Sequence, residues 1–121
     1  MTTKTLNNYD LEDRTVKFSG NLVTLCKRCP KTVVMIPIID QLIRSGTSMG
    51  ANYSEANGAS SKKDFKNKIF ICKKESKETQ YWLQVLAGAV DDEELKQECR
   101  KLWQEAKELG MIFSSIASKI V

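Results

Sequence analysis

In four separate stretches of this chain, apolar and small residues return in alternating steps of three and four, and that repeat limits the fold more than any other feature. Leu11, Thr15, Phe18, Leu22, Leu25 and Cys29 make the first series, and Met35, Ile39, Leu42, Gly46, Met49, Tyr53 and Ala56 the second. Phe65, Ile69, Cys72, Ser76, Thr79, Leu83 and Leu86 make the third; Leu95, Cys99, Leu102, Ala106, Leu109, Phe113, Ile116 and Ile120 make the fourth. Such steps put side chains on one face of a helix, and no stretch alternates with the period of a strand. The spacing predicts helices over residues 10–29, 33–59, 62–88 and 91–120. Short links between them make successive helices antiparallel, so the expected fold is all-α: one antiparallel up-down four-helix bundle filling residues 1–121.

Local signals agree with these bounds. Asp10 is a candidate cap for the first helix and Pro30 a stop. Pro37 lies near the start of the second helix and predicts either a beginning there or an irregular first turn. Ser60 and Ser61 are candidate caps for the third, and the acidic run Asp91 to Glu94 suits a helix N-terminus.

The stretch RSGTSMGANYSEANGA, Arg44 to Ala59, has the composition of a loop but continues the second series. Gly46, Gly50, Ser54 and Gly58 recur every four residues as a stripe with almost no side chain. An interior glycine costs a helix roughly 1 kcal/mol against alanine. The plausible return is close approach of a neighbouring helix, expected at Gly46, Gly50 and Gly58. A phosphate-binding loop is not the expected reading, since no strand precedes the stretch and it lacks the GK[ST] ending.

Beside that stripe, Arg44, Ser48, Asn52 and Glu55 share a face, and on the third helix Glu75, Glu78 and Trp82 have similar spacing with Tyr81 adjoining. Facing one another, they would let Arg44 meet a carboxylate and Asn52 and the aromatic donors satisfy the rest. The expectation is a structural or assembly polar layer, inside one bundle or between two. A catalytic carboxylate cluster of Glu55, Glu75 and Glu78 competes with it. The Glu-x-x-His element of bundle metal sites is impossible, however, in a chain without histidine.

That absence also removes the usual general base near neutral pH, so no enzymatic activity is expected. Cys26 and Cys29 have CxxC spacing, but the remaining cysteines, Cys72 and Cys99, fall on core positions, so no metal and no cofactor is expected. The longest apolar run, Val33 to Ile39, is too short to span a membrane. Without a basic-then-apolar leader, a cytoplasmic address is expected, with the cysteines as free thiols.

Net charge is +4, unevenly spread. From Lys62 to Lys77 seven lysines face only Asp64 and Glu75, whereas Asp91 to Glu108 holds seven acids against four basic residues. Lys62, Lys63, Lys66, Lys73 and Lys77, with Arg14, Lys17, Lys27 and Arg28 of the first helix, are candidate phosphate contacts. Solubility alone is the competing reading of such lysines. Apolar residues off the main series, among them Val16, Ile36, Ile43, Trp82, Trp103 and Ile112, predict further burial between subunits.

The segments DLEDRTVKFSGNLVTLCKRCP, QLIRSGTSMGANYSEA and SSKKDFKNKIFICKKESKETQYWL resemble the four-helix family named for reading frames in intervening sequences of bacterial large-subunit ribosomal RNA genes. The likeness runs from Asp10 to about Leu109 and is most specific in the second and third helices. It implies an up-down bundle assembling as a homopentamer, with no established enzymatic activity. A similar protein is the accessory factor of the reverse transcriptase of diversity-generating retroelements, a pentameric barrel that binds nucleic acid and the polymerase. The resemblance therefore implies structured RNA, or a nucleic-acid-handling protein, as partner. An oligomeric scaffold that binds only protein is the alternative.

Overall fold

The computed structural model describes the backbone of residues 3–120 and the side chains of residues 11–120. It contains four helices: α1 (Thr3–Arg28), α2 (Met35–Asn57), α3 (Lys62–Ala89) and α4 (Glu93–Ser118). Each packs against two neighbours, α1 on α2 and α4, and α3 on α2 and α4, so α1 and α3 stand diagonally across the bundle. Backbones approach most closely along α2–α3–α4 and stand further apart around α1.

Helix ends follow local chemistry. The first helix begins at Thr3, so Asp10 lies inside it and is not its cap. Residues 3–9, TKTLNNY, contain neither glycine nor proline to break an established helix, although Thr and Asn favour it weakly. At its other end Lys31 folds back, and its ammonium donates to the carbonyls of Cys26 at 2.7 Å and Cys29 at 2.6 Å. A cation there complements the negative end of the helix dipole. Lys96 does the same for α3, donating to the Ala87 carbonyl at 2.8 Å.

Pro37 occupies the first turn of α2, where its missing N–H forfeits nothing. Thr32 Oγ1 accepts from the Met35 N–H at 3.2 Å and so caps that turn from outside. Ser61 Oγ accepts from Asp64 N–H at 3.0 Å at the head of α3, and Asp92 accepts from Leu95 N–H at 3.1 Å at the head of α4.

Every member of the first two series is buried. In the third only Phe65, near the bundle's end, is half-exposed. The fourth holds to Phe113, after which Ala117 is buried, Ile116 packs half-buried against the core edge and Ile120 is half-buried at the helix's end. A straight helix drifts about 20° per heptad against a strict seven-residue repeat, and three heptads past Leu95 the drift has carried the repeat to the edge of the core.

Small residues then set the helix spacing. A side chain on Gly46 would collide with Leu22 of α1, and a Cβ on Gly50 would lie 3.0 Å from Thr15 Cβ and Oγ1. Gly58 is different: a Cβ there would meet only its own helix's Glu55 carbonyl, at 3.8 Å, so the expected close contact is absent. Gly58 ends α2 instead, with its N–H donating to the Glu55 carbonyl. The tightest approach on the other side is between α3 and α4, where Ser76 Oγ donates to the Ala106 carbonyl at 2.7 Å and Gly110 leaves room for that hydroxyl.

Candidate nucleic-acid interface

Along the outside of α3, Lys63, Lys66, Phe70, Lys73, Lys77, Tyr81 and Gln84 follow one another in steps of three and four. They form a single ridge facing away from the core. All are exposed except Lys66, which is half-buried. Lys62, Lys63, Lys66, Lys73, Lys74 and Lys77 have no carboxylate within ion-pair distance among the described residues. The carboxylates of α3 lie on its other side. Glu78 accepts from Trp82 Nε1 at 3.3 Å, and Lys68, the one paired lysine of the helix, reaches Glu55 of α2 at 2.8 Å. That hydrogen bond raises the Lys68 pKa above its ordinary value.

The ridge borders a groove of about 610 Å³ between α3 and α4. Lys73, Lys77 and Lys107 line it together with Gln80 and the hydroxyls of Ser114, Ser115 and Ser118; none of its lining residues is acidic. Lysines and serines lining one groove without a carboxylate suit phosphate oxygens, although the Lys107 ammonium here lies 5.3 Å from the Trp103 ring centroid. Lys107 belongs to α4, whose N-terminal half is acidic, and nothing in its sequence neighbourhood marks it as a partner of Lys73 and Lys77. Only the packing of the two helices does.

The basic residues of α1 do not join this surface. Arg14 donates to Glu105 through two nitrogens, at 2.7 and 2.8 Å, and to Glu108 at 3.0 Å. Its hydrogen bond to Glu105, the largest contribution, raises the guanidinium pKa well above its ordinary range despite partial burial. Arg14 is thus already paired with two carboxylates of α4, unlike the lysines of the ridge. Arg28 pairs with Glu94 at 3.3 Å. Lys17 lines a groove shared with Asp13, Glu98 and Glu105, where charges of both signs alternate. Lys27 is exposed but lies on the same helix. Because α1 is diagonal to α3, these residues and the lysine ridge occupy opposite sides of the molecule.

In the single chain the residues of the expected polar layer are exposed or half-buried. Arg44 is exposed and pairs with Asp40 one turn away, at 3.3 Å, so the carboxylates of α3 do not reach it. Asn52 donates to the Ser48 carbonyl and hydroxyl, both at 2.9 Å, again within α2. Tyr81 stands edge-on to Trp82, with ring centroids 5.1 Å apart. The Lys68–Glu55 bridge nevertheless brings the two rows side by side, since Lys68, Glu75 and Trp82 follow at sevenfold spacing on α3. Arg44, Ser48, Asn52 and Glu55 therefore adjoin Glu75, Glu78 and Trp82 on one outer face of α2 and α3. Off the main series, Ile43, Trp82, Trp103 and Ile112 pack against the core edge, whereas Val16 and Ile36 remain exposed.

All four cysteines are free and buried. Burial pushes the thiols of Cys26 and Cys72 up to about 12 and that of Cys99 up to about 11, which disfavours the thiolate needed for nucleophilic attack or metal ligation. Among the described residues no three histidine, cysteine, aspartate or glutamate side chains are placed to hold a metal ion, and no helix is long and apolar enough to cross a membrane.

Fold and surface together define a four-helix protein with a cationic ridge on one side and a mixed polar face on another. The chain belongs to the 23S rRNA-intervening sequence protein family, whose model matches residues 7–115. It is similar to a crystal structure of a protein of unknown function from the S23 ribosomal protein family of Bacteroides thetaiotaomicron. The two chains are 32% identical over 88% of this chain and 97% of that one, with a TM-score of 0.77. No curated protein matches the chain.

Proposed function

We propose that this protein is a non-enzymatic, homo-oligomeric scaffold, most simply a pentamer, that binds RNA or another nucleic acid as an accessory factor. The observation that carries the reading is charge segregation on α3. Its outward lysines are free of carboxylates and are joined by Lys107 across an acid-free, hydroxyl-lined groove. Repeated around an assembly, such ridges would sum to a field far stronger than the net charge of one chain suggests. The polar face of α2 and α3 supplies a surface for assembly that leaves the ridge outside.

Changing Lys73, Lys77 and Lys107 together to Gln should weaken binding to RNA and flatten the dependence of log K on log salt by roughly 0.7 to 0.9 per lost phosphate contact. Unchanged affinity and slope would overturn the assignment. Light scattering of the purified protein tests assembly, and a monomer at micromolar concentration would contradict it.

One observation favours a protein partner as the second reading. Val33, Val34 and Ile36 protrude at the α1–α2 connection, with Val33 90% exposed. Recovery of one protein from nuclease-treated lysate, lost when these residues become Ser, would favour that reading.

A further inference from the structure

We infer that the α3 ridge is a track for single-stranded nucleic acid, with Phe70 as a platform on which a base stacks. The inference rests on the nucleic-acid reading above and narrows it. Phe70 is 45% exposed in the middle of the ridge, whereas Phe65, the other aromatic of this segment, packs against the core. The ammonium groups of Lys66 and Lys73, one turn before and one turn after it, lie 5.9 and 6.0 Å from its ring centroid. An apolar ring is thus flanked on both sides by phosphate-binding cations. Tyr81, 58% exposed, adds a second aromatic eleven residues further along, roughly 16 Å at the helical rise, with Lys77 on one side only and Trp82 edge-on to its ring.

Alternating cations and exposed aromatic faces match the two chemistries of a single strand, phosphate and unstacked base. A duplex presents the phosphates but keeps its base faces within the stack, so Phe70 would gain nothing from it without unstacking a step. The ridge also lacks the Arg, Asn and paired Gln side chains that read base edges in a groove, having only Gln84 at its far end. Contacts between the half-buried Lys66 or the exposed Lys73 and the ring are weaker than a base stack, so an arriving base displaces the ammonium groups towards its own phosphates.

The test uses the full chain with an unstructured oligouridylate and an RNA duplex of equal length, each measured by fluorescence anisotropy across a salt series. Single strand should bind more tightly than duplex at every salt. Phe70→Ala should weaken single-strand binding about tenfold, leave duplex binding and both salt slopes unchanged, and be rescued by Phe70→Trp. Because Phe70 is a surface residue, helicity and melting temperature should not change. A fluorescent adenine analogue within the strand should be quenched on binding the native protein and not the alanine variant.

Equal affinity for duplex and single strand, with no effect of Phe70→Ala, would overturn this inference and leave the broader reading standing. Absence of binding to either would overturn both. If Phe70→Ala lowered both affinities alike, the ring would be acting through the lysines and the stacking assignment would be wrong.

Discussion

Replacing Gly110 by Ala should destabilise this protein, although helix propensity alone predicts the reverse by about 1 kcal/mol. Gly110 lies inside α4, and a methyl group there would occupy the space of Ser76 Oγ and stand 3.2 Å from Ser76 Cβ. Ser76 is fully buried and donates to the Ala106 carbonyl at 2.7 Å. Driving the hydroxyl away leaves it unpaired at about 1 to 3 kcal/mol, and overfilling the contact adds about 1 to 3 kcal/mol. Against the propensity gain, the net loss is about 1 to 5 kcal/mol. Were Ser76 to rotate onto a carbonyl one turn back in α3, the hydroxyl would be paired again and the net loss would fall to about 0 to 2 kcal/mol.

Urea unfolding at a fixed protomer concentration measures this directly. A loss of 2 kcal/mol lowers the midpoint by about 1 M if the slope is about 2 kcal/mol per molar. The mechanism also predicts non-additivity. Ser76→Ala alone costs about 1 kcal/mol and removes the colliding hydroxyl, so adding Gly110→Ala to it should cost less than Gly110→Ala costs the native chain. A Gly110→Ala variant as stable as the parent, or a double variant equal to the sum of the singles, would refute the reasoning.

Other consequences follow from side chains already described. Arg14→Gln should lower stability by about 1 kcal/mol through loss of its forked bridge to Glu105, yet leave RNA affinity unchanged; weaker RNA binding would return Arg14 to the interface. Lys31→Met should fray the end of α1, read as faster amide exchange near residues 24–29, because the Cys26 and Cys29 carbonyls lose their donor. The buried thiols predict an alkaline loss of stability. With folded values raised above the ordinary 9.0, their contribution is complete below about pH 9 and disappears as pH rises towards 12. Cys26→Ala should therefore reduce the alkaline slope, and an unaltered slope would count against burial as its cause. Arg44→Glu combined with Trp82→Ala should reduce the proposed assembly to monomer without loss of helicity, and an unchanged mass would remove the α2–α3 face from assembly.

Much of the fold was legible in the chain because the core of an up-down bundle is a one-dimensional pattern. Leu22, Leu42, Leu83 and Leu109 are buried where the repeat puts them, and the glycine-rich segment around Gly50 is helix because the repeat runs through it. Failures came where a property belongs to two helices at once. Gly58 shared the small-residue stripe but has no helix against it, whereas Gly110, outside any stripe, sits on Ser76. Arg14 is a candidate phosphate contact in the sequence, and nothing near it in the chain shows that α4 places Glu105 and Glu108 beside it. The lysines of α3 were evident from local composition, but Lys107 and the serines that complete their groove come from a different helix.

By itself, then, the sequence determined four helices, their antiparallel order and the residues facing inward, since spacing along a helix specifies its faces and short links specify its direction. Tertiary structure alone decided which cations are free and which are spent on internal carboxylates or carbonyls. It also decided that α1 and α3 stand on opposite sides. The physical reason is that charge pairing depends on distances of a few ångströms between helices remote in the chain, and no periodicity within one helix encodes those distances.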